Sequence, residues 1–400
     1  MTITERDFSQ QEVVDRDMYR DYGDQFFAWA RANQPVYRDP VGTWAITKLD
    51  DVKWCERQPA LFTSAKGSRP NSVQPQPSMI DSDDPWHATQ RRLVSHGFTQ
   101  RQMRAYETHI RETVRRLVDT VIGRGQMDLV YDIAKPVPMT LIGELLGAPV
   151  YEYDQLQHWS DVMIQGSDKA EYRRDDTMQA VADYYAYITP VIADRKANPQ
   201  DDLVSQLIHG DADGEGLDDA HIIGNALLLL VGGNETTRNV IAGGLHALIT
   251  HPDQLAIAQA SVDNDGQVAE TVIEECLRWV TPIVNMNRYT TADVEIRGVT
   301  IPADSQVLMV YMSANRDEDV FADPFRFDVT RNPNPHVAFG FGPHLCLGAA
   351  LARLELRWVF TEVLARCRNL RLTDPQFVPE YSHSSFVRGM QSVPVTFDPA

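Results

Sequence analysis

The chain of 400 residues is 43% hydrophobic and 23% charged, a composition that is typical of a soluble globular protein with a large core. Its formal net charge of −19 argues against nucleic acid as a partner, because binding to phosphates requires a basic surface. The four scattered cysteines suit a reducing cytoplasm, and neither the polar first residues nor any apolar run predicts a signal peptide or a membrane span.

The first half of the chain mainly predicts helices. Apolar periodicity and turn residues predict a helix at about 24–33, a β-hairpin at 35–47, and helices at 49–57, 101–124, 136–147, 151–165 and 177–196. Residues 63–78 are rich in Ser, Pro and Gln, which predicts a loop long enough to act as a lid, and residues 165–176 are predicted to be a connection. The acidic segment from Asp211 lacks a glutamate at its twelfth position, Ile222, so it is predicted to be a turn and not a calcium loop.

A further helix is predicted to begin at Asp84-Pro85, where an N-cap residue is followed by proline at the first helical position. It places His87 and Arg91 one turn apart on the same face, and the plain interpretation is a surface pair. The basic segment, residues 91–116, has seven arginines against two glutamates, a local excess of five positive charges. It is predicted either to bind an acidic partner protein or to be a solvated helix face.

From residue 218 to residue 249 the sequence is apolar nearly all round, which predicts a central helix of roughly 45 Å at about 1.5 Å per residue. Its middle is interrupted by Gly232-Gly233-Asn234-Glu235-Thr236. Paired glycines weaken a helix and bring its backbone close to a ligand, but they also occur where two helices pack tightly. An acid and an alcohol inside an apolar helix require partners, because burying them alone is costly.

Downstream of this helix the pattern changes towards short strands. Glu275 and Arg278 lie one turn apart on a predicted helix, and residues 280–288 leave it as an extended segment. Strands are predicted at 294–297, 299–301, 306–312 and 393–397.

One cysteine, Cys346, lies in the glycine-rich turn F-G-F-G-P-H-L-C-L-G at 339–348, which runs directly into a helix-forming segment. Glycines let backbone N–H groups approach the sulfur, and the following helix N-terminus adds positive potential, so Cys346 is predicted to be a thiolate. A thiolate with no second cysteine or paired histidine nearby suits an axial haem ligand better than zinc. The alternative is a buried cysteine in an ordinary turn, but the pattern F-x-x-G-x-x-x-C-x-G arises by chance in roughly 0.0005 of chains of this composition.

This turn resembles the haem-binding loop of the cytochrome P-450 superfamily of haem-thiolate monooxygenases. The resemblance covers about residues 20–398, and Gly232 to Thr236 match the family's A/G-G-x-E/D-T motif, although Ala is commoner at the position of Gly232. It implies one domain, residues 1–400, that is mainly α with a smaller β region. Haem b would lie between the long central helix and the loop that carries Cys346.

The resemblance also implies roles for individual residues. Cys346 would ligate the iron, and Glu235 and Thr236 would organise proton delivery. Arg326 would complete a buried structural cluster with Glu275 and Arg278. The remaining haem contacts would be His87, Arg91, Arg288, Phe339, Gly340 and His344.

The activity that the resemblance implies is hydroxylation of a C–H bond with O2 and two electrons. The alternatives are a haem peroxygenase and a non-enzymatic haem sensor or electron carrier. The acid–alcohol pair disfavours the peroxygenase, and this pair together with a long lid loop disfavours the carrier. No flavin or nicotinamide motif is apparent, so a separate ferredoxin and its reductase are expected to supply electrons, with docking at the basic segment.

The substrate is predicted to be a hydrophobic small molecule. The stretches 77–80, 283–286 and 384–387 are apolar or neutral, with no charged residue that would anchor a small acid. Motifs at 83–85, 232–238 and 332–336 most resemble those of bacterial members that oxidise sterol side chains, with terpenoids and branched lipids as alternatives. The predicted substrate contacts are Met79, Val231, Gly232, Val284, Met286 and Phe386.

Overall fold

The computed structural model describes residues 7–70, 75–165, 175–210 and 216–400. Within these ranges helices predominate over short strands, so the prediction of a mainly α fold with a smaller β region is confirmed. The helices are α1 (Arg16–Asp21), α2 (Gly23–Asn33), α3 (Leu49–Glu56), α4 (Trp86–Ser95), α5 (Gln100–Ile122), α6 (Pro136–Leu145), α7 (Tyr153–Gln165), α8 (Asp175–Ala197), α9 (Leu203–His209), α10 (Asp219–Thr250), α11 (Pro252–Asp265), α12 (Glu270–Val280), α13 (Tyr311–Ala314) and α14 (Ala349–Arg366). The strands are β1 (Val36–Arg38), β2 (Trp44–Ile46), β3 (Phe62–Thr63), β4 (Gln126–Asp128), β5 (Met286–Thr290), β6 (Val294–Ile296), β7 (Val299–Ile301), β8 (Gln306–Met309), β9 (Cys367–Leu372) and β10 (Pro394–Pro399).

Most predicted elements are present within a few residues of their expected bounds. The sequence did not predict α1, α9, α11, α13, β3, β4, β9 or a π-helix at Leu129–Ala134, and residues 311–312 of a predicted strand belong to α13. The predicted turn at 211–215, most of the connection at 165–176 and residues 71–74 of the lid loop lie outside the described residues. Among the described helices, none is both long enough and apolar enough to cross a membrane.

The central helix α10 is 32 residues long and is not broken at the glycine pair. The hydroxyl of Thr236 donates a hydrogen bond of 2.9 Å to the Gly232 carbonyl one turn earlier, so its polar group is satisfied within the helix. A Cβ at position 233 would lie 2.9 Å from a carbon of Ile142 on α6, whereas one at position 232 would meet nothing within 4 Å. Gly233 therefore serves helix packing, and Gly232 leaves the helix surface open to the cavity described below.

The largest sheet has the strand order β1-β2-β8-β5-β3. The predicted hairpin is confirmed by antiparallel pairing of β1 with β2, and β2 then pairs in parallel with β8. Strand β5 pairs antiparallel with β8 and carries Arg288, and α13 begins with Tyr311 shortly after β8. The side chains of Arg288 and Tyr311 are both buried in the interior. A smaller sheet, β4-β10-β9, and the hairpin β6-β7 lie outside it.

A buried cluster of charges stabilises the backbone that leads to the cysteine loop. Glu275 and Arg278 are fully buried and form an ion pair of 2.7 Å. The second arginine of the cluster is Arg331, whose Nε lies 3.2 Å from Glu275 Oε2. The prediction that Arg326 fills this place is wrong, because its side chain is exposed and only its carbonyl accepts a bond from Arg278. A turn closed by the Arg331 N–H and the Asp328 carbonyl brings Arg331 back to the cluster.

Candidate active site

A large cavity lies in the interior between α10, α4 and the loop 339–348. It encloses about 1630 Å³ of empty space, its open mouth included. Residues of α4, α10, β5 and the cysteine loop line it, so segments that are distant in the sequence share one site.

The cysteine loop forms one wall of this cavity. Cys346 is exposed to the cavity, and its N–H donates a bond of 2.9 Å to the Phe339 carbonyl, which closes the loop. Gly340 and Gly342 have φ angles of +70° and +69°. A Cβ at position 342 would lie 2.2 Å from the Glu56 carbonyl oxygen, so glycine is required there for the loop to pack on α3.

The expectation that the loop alone makes Cys346 a thiolate is not met. Burial raises the pKa of the Cys346 thiol, and the Gly348 N–H and the charges of Arg91 and Arg353 only partly oppose this effect. Desolvation thus outweighs the stabilisation from the glycine-rich turn. Binding of a metal cation at the sulfur would favour the thiolate, because a coordinating thiol loses its proton.

Two histidines from distant parts of the chain meet in the cavity. The rings of His87 on α4 and His344 in the cysteine loop have centroids 4.1 Å apart. Burial, together with nearby positive charges, lowers the pKa of His344 to about 2, and burial likewise lowers the pKa of His87. Both rings are therefore neutral at pH 7. The buried Nε2 of His87 has no hydrogen-bond partner among the described residues, and this suits a bound carboxylate.

The positive charges at this end of the cavity belong to Arg91 and Arg288, which both line it. Arg91 donates a bond of 2.6 Å to the Leu345 carbonyl of the cysteine loop. Arg288 is buried and lies 3.0 Å from Glu56 Oε2, and the Tyr311 hydroxyl donates to Glu56 Oε1 at 2.6 Å. The sequence analysis did not identify Glu56 or Tyr311. Nothing local distinguishes them, because Tyr311 follows β8, which pairs with β5, and Glu56 lies at the end of α3, so both meet Arg288 only in the folded chain.

Glu235 and Thr236 line the cavity from the middle of α10, as predicted. The Glu235 carboxyl is almost completely buried; its Oε2 accepts a bond from Arg238, and its Oε1 has no partner in the part of the chain that the structure describes. Arg238 also donates to Asp161 Oδ1 at 2.6 Å, and Lys135 Nζ lies 3.1 Å from Asp161 Oδ2. These side chains connect the cavity with the surface, where Lys135 and Asp161 are partly exposed.

The two carboxyl groups of this network differ in charge. Burial, with the nearby Asp161, raises the pKa of Glu235 well above its usual range, although Arg238 opposes the shift. Burial also opposes ionisation of Asp161, but a hydrogen bond from Glu235 and the charges of Arg238 and Lys135 outweigh it and lower the pKa of Asp161. Glu235 is therefore neutral beside an ionised Asp161. The sequence analysis did not single out Asp161 or Lys135, which are far from Glu235 along the chain.

Five of the six predicted substrate contacts line the cavity: Met79, Val231, Gly232, Met286 and Phe386. Val284 does not, so the prediction that it contacts substrate is wrong. It is fully buried in a separate apolar cluster with Val13 and Leu308, because alternation along the extended segment turns its side chain away. Its neighbour Ile283 lines the cavity in its place.

The end of the predicted lid loop packs directly on α10. The N–H of Met79 donates to Asn225 Oδ1 at 2.9 Å, and a Cβ at position 224 would lie 2.2 Å from the Pro77 carbonyl oxygen. Contrary to the expectation of an uncharged pocket, Arg69 from this loop also lines the cavity.

Known proteins resemble this chain in sequence and in fold. The family model described as Cytochrome P-450 matches residues 142–397. The steroid C26-monooxygenase of Mycobacterium tuberculosis is 42% identical over 377 residues, which cover 94% of this chain and 93% of that protein. The methyl-branched lipid omega-hydroxylase of Mycobacterium bovis is 39% identical over 379 residues, or 92% and 87% of the two chains. The structure of a Mycobacterium marinum cytochrome P-450 in complex with pseudoionone has a TM-score of 0.88 at 32% identity, covering 98% and 99%.

Proposed function

The chain belongs to the cytochrome P-450 family, and on that premise we propose that it is a monooxygenase that hydroxylates a hydrophobic steroid or branched lipid. Membership confirms the predicted fold and haem as the cofactor, between α10 and the cysteine loop. One observation carries the proposal: a cysteine loop, an acid–alcohol pair and an apolar wall line the same cavity.

The residues present fit a haem. Cys346 would supply the thiolate that holds the haem iron. Arg91 and Arg288 supply two positive charges for the two haem carboxylates, and the neutral rings of His87 and His344 supply further hydrogen bonds. Bound haem supplies the activation of dioxygen.

The remaining side chains would deliver protons and exclude water. A neutral Glu235 would release its proton into the cavity beside the Thr236 hydroxyl. Asp161 would return a proton to Glu235 from the partly exposed end of the network at Lys135. The apolar wall at Ile283 and Phe386 would keep bulk water away from the reacting groups.

This arrangement supports a monooxygenase over the two alternatives. A peroxygenase receives its oxygen already reduced, and a haem sensor or electron carrier transfers no oxygen to a substrate. Neither needs a carboxyl network that reaches from the cavity to the surface. Oxygen consumption that depends on both substrate and a reductase would separate a monooxygenase from both.

A titration tests the substrate class. The named relatives act on steroids and on methyl-branched lipids, and most described side chains that line the cavity are apolar. We expect cholest-4-en-3-one, or a methyl-branched fatty acid, to shift the haem absorption spectrum at micromolar concentration. If neither perturbs the spectrum while a small polar aromatic compound does, the substrate assignment is wrong and the family assignment stands.

An electron-transfer partner is required, and we propose that a ferredoxin docks on the basic segment. Helix α5 packs along α14, the helix that follows Cys346. Its arginines at 101, 104, 115 and 116 are exposed, whereas Arg111 lies over the Trp358 ring and near Glu362. Leu345 of the cysteine loop is 45% exposed beside Arg91. A basic surface with an apolar centre suits a small acidic protein.

Reversal of charge at Arg104 tests this docking site. Arg104→Glu should slow reduction by a ferredoxin roughly tenfold at low ionic strength, and added salt should reduce the difference. Arg111→Glu should have a weaker effect because its guanidinium is already engaged. Arg371→Glu on β9 is the matched control, since it lies beyond the far end of α14. If all three variants are reduced at the wild-type rate at every salt concentration, the docking site lies elsewhere.

A further inference from the structure

A second group of charges lies behind the cysteine loop, separate from the buried cluster at Glu275. Arg353 on α14 donates from Nε to Glu274 Oε1 at 2.7 Å and from Nη2 to Glu274 Oε2 at 2.9 Å. Two parallel bonds of this kind fix the plane of a guanidinium as well as its position. Neither side chain belongs to the described residues that line the cavity, so contact with a bound molecule does not explain the pair.

A histidine from the segment before the loop completes this group. His336 Nε2 lies 3.1 Å from Glu274 Oε2, and His336 Nδ1 accepts a bond of 3.2 Å from the Ala338 N–H. A nitrogen that accepts carries no proton, so the ring proton is on Nε2, which donates to Glu274. His336 thus adds a hydrogen bond and no charge. One carboxylate joins α12, α14 and the chain that enters the cysteine loop.

The pair of Glu274 and Arg353 is ionised at physiological pH. Burial would raise the pKa of Glu274, but hydrogen bonds from Arg353 and His336 outweigh it and lower this pKa to about 2. The hydrogen bond with Glu274 likewise raises the pKa of Arg353. The pair therefore consists of one fixed positive and one fixed negative charge. Its effect on the loop depends on which charge acts on the sulfur.

The positive member of the pair lies against the cysteine loop. The central carbon of the Arg353 guanidinium is 4.5 Å from the centroid of the Phe339 ring, and the Phe339 carbonyl accepts the bond from the Cys346 N–H. Burial raises the pKa of the Cys346 thiol, and the charges of described residues that oppose this effect are Arg91 and Arg353. The net influence of the pair on the sulfur is thus that of a positive charge.

We propose that Arg353 is a positioning residue that acts through Cys346: its fixed positive charge, held by Glu274 and His336, raises the reduction potential of the haem iron. This inference rests on the proposed function, since it concerns the haem that Cys346 would ligate. Reduction adds one electron, supplied by the partner protein, and so adds one negative charge to the iron and its thiolate. A nearby positive charge stabilises that product and makes electron uptake more favourable.

Charge variants of the haem-loaded enzyme test the proposal through its reduction potential. The potential is measured by spectroelectrochemical titration with small mediators, so that docking of a partner plays no part. Arg353→Gln should lower the equilibrium constant for reduction roughly tenfold, or about 59 mV for one electron, because the charge of Glu274 then acts alone. Glu274→Gln should raise the potential by a similar amount, because the charge of Arg353 is then no longer compensated.

Further variants separate charge from structure. Arg353→Lys keeps the charge but loses the paired bonds, so its potential should lie closer to that of the wild type than to that of Arg353→Gln. The double variant Glu274→Gln/Arg353→Gln should lie between the two single variants. Arg366→Gln is the matched control, since Arg366 pairs with Asp119 at the last residue of α14, about 20 Å from Arg353 at 1.5 Å per residue. Its potential should equal that of the wild type.

The sign of the shifts identifies the cause. Opposite shifts in Arg353→Gln and Glu274→Gln support an electrostatic role, because damage to the loop would shift both variants in the same direction. Shifts of the same sign, no shift in either variant, or an Arg353→Lys variant as low as Arg353→Gln would overturn the role of Arg353 while the proposed function stands. Loss of the red-shifted band of the reduced carbon monoxide complex in both variants would make the group a support of the loop and would also overturn it. If the wild type itself lacks that band, the haem-thiolate assignment fails, and both the proposed function and this inference fail with it.

Discussion

Replacing Cys346 by serine is expected to abolish the red-shifted absorption band that the reduced carbon monoxide complex of haem-thiolate proteins shows. All four cysteines lie in the described ranges, and Cys346 is the one that lines the cavity; Cys55, Cys276 and Cys367 are buried elsewhere. A serine hydroxyl stays protonated near neutral pH and cannot replace a thiolate as the strong axial donor. The expected loss is therefore complete and not partial.

The fold of the cysteine loop should survive this substitution. The hydrogen bond that closes the loop uses the backbone N–H of residue 346, which serine retains. Haem content is measured separately, so that loss of the band can be distinguished from loss of haem. Cys367→Ser, at the start of β9, serves as the control and should keep the band. Persistence of the band in Cys346→Ser would show that another residue ligates the iron.

Glu235→Gln is expected to produce the second large effect, a decrease of roughly 10²–10⁴-fold in product formation, the range typical of lost general acid catalysis. Glutamine has nearly the same shape and can accept the bond from Arg238, but it cannot release and regain a proton. Substrate binding and reduction by the partner should persist.

Thr236→Ala should likewise keep substrate binding and reduction, and it should divert consumed oxygen to hydrogen peroxide. Product, peroxide and oxygen are measured together.

The dependence on pH and on Asp161 separates proton delivery from a structural effect. The raised pKa keeps Glu235 neutral at any pH below that pKa. In the wild type, the product formed per oxygen consumed should therefore fall as the pH rises through this pKa, whereas Glu235→Gln should show no such fall. The charged groups that face Glu235 are Arg238 and Asp161, with Lys135 beyond them. Asp161→Asn should increase the solvent isotope effect, and Glu152→Gln, a carboxyl outside the cavity lining, should change nothing. Unaltered coupling in Glu235→Gln would remove Glu235 from the mechanism.

The sequence alone determined the features whose causes are local. Long apolar periodicity is sufficient for α10, because thirty residues that are apolar all round have few other stable structures. The β1–β2 hairpin and the cysteine loop could also be predicted from the sequence, since the residues that define each are adjacent in the chain. The residues that the family motifs single out, Cys346, Glu235 and the predicted haem contacts, line one cavity.

Local reasoning failed where two effects compete in three dimensions. The sequence left open whether the glycine pair in α10 faces a ligand or serves helix packing; Gly233 accommodates Ile142 of α6, whereas Gly232 leaves the helix open to the cavity. The glycine-rich turn was expected to make Cys346 a thiolate, but burial raises its pKa, and burial cannot be read from the turn itself. Val284 was assigned to the cavity because the register of its extended segment was unknown.

Only the tertiary structure decided which charged groups become partners. Arg331 and not Arg326 completes the cluster at Glu275, Glu56 holds Arg288, and Asp161 joins Glu235 to the surface. Each pair is distant in sequence, and arginine and carboxylate residues are too common for spacing to select the right ones. The choice is made by packing, because a buried charge is tolerated only beside the partner that the surrounding helices and strands bring within hydrogen-bond distance.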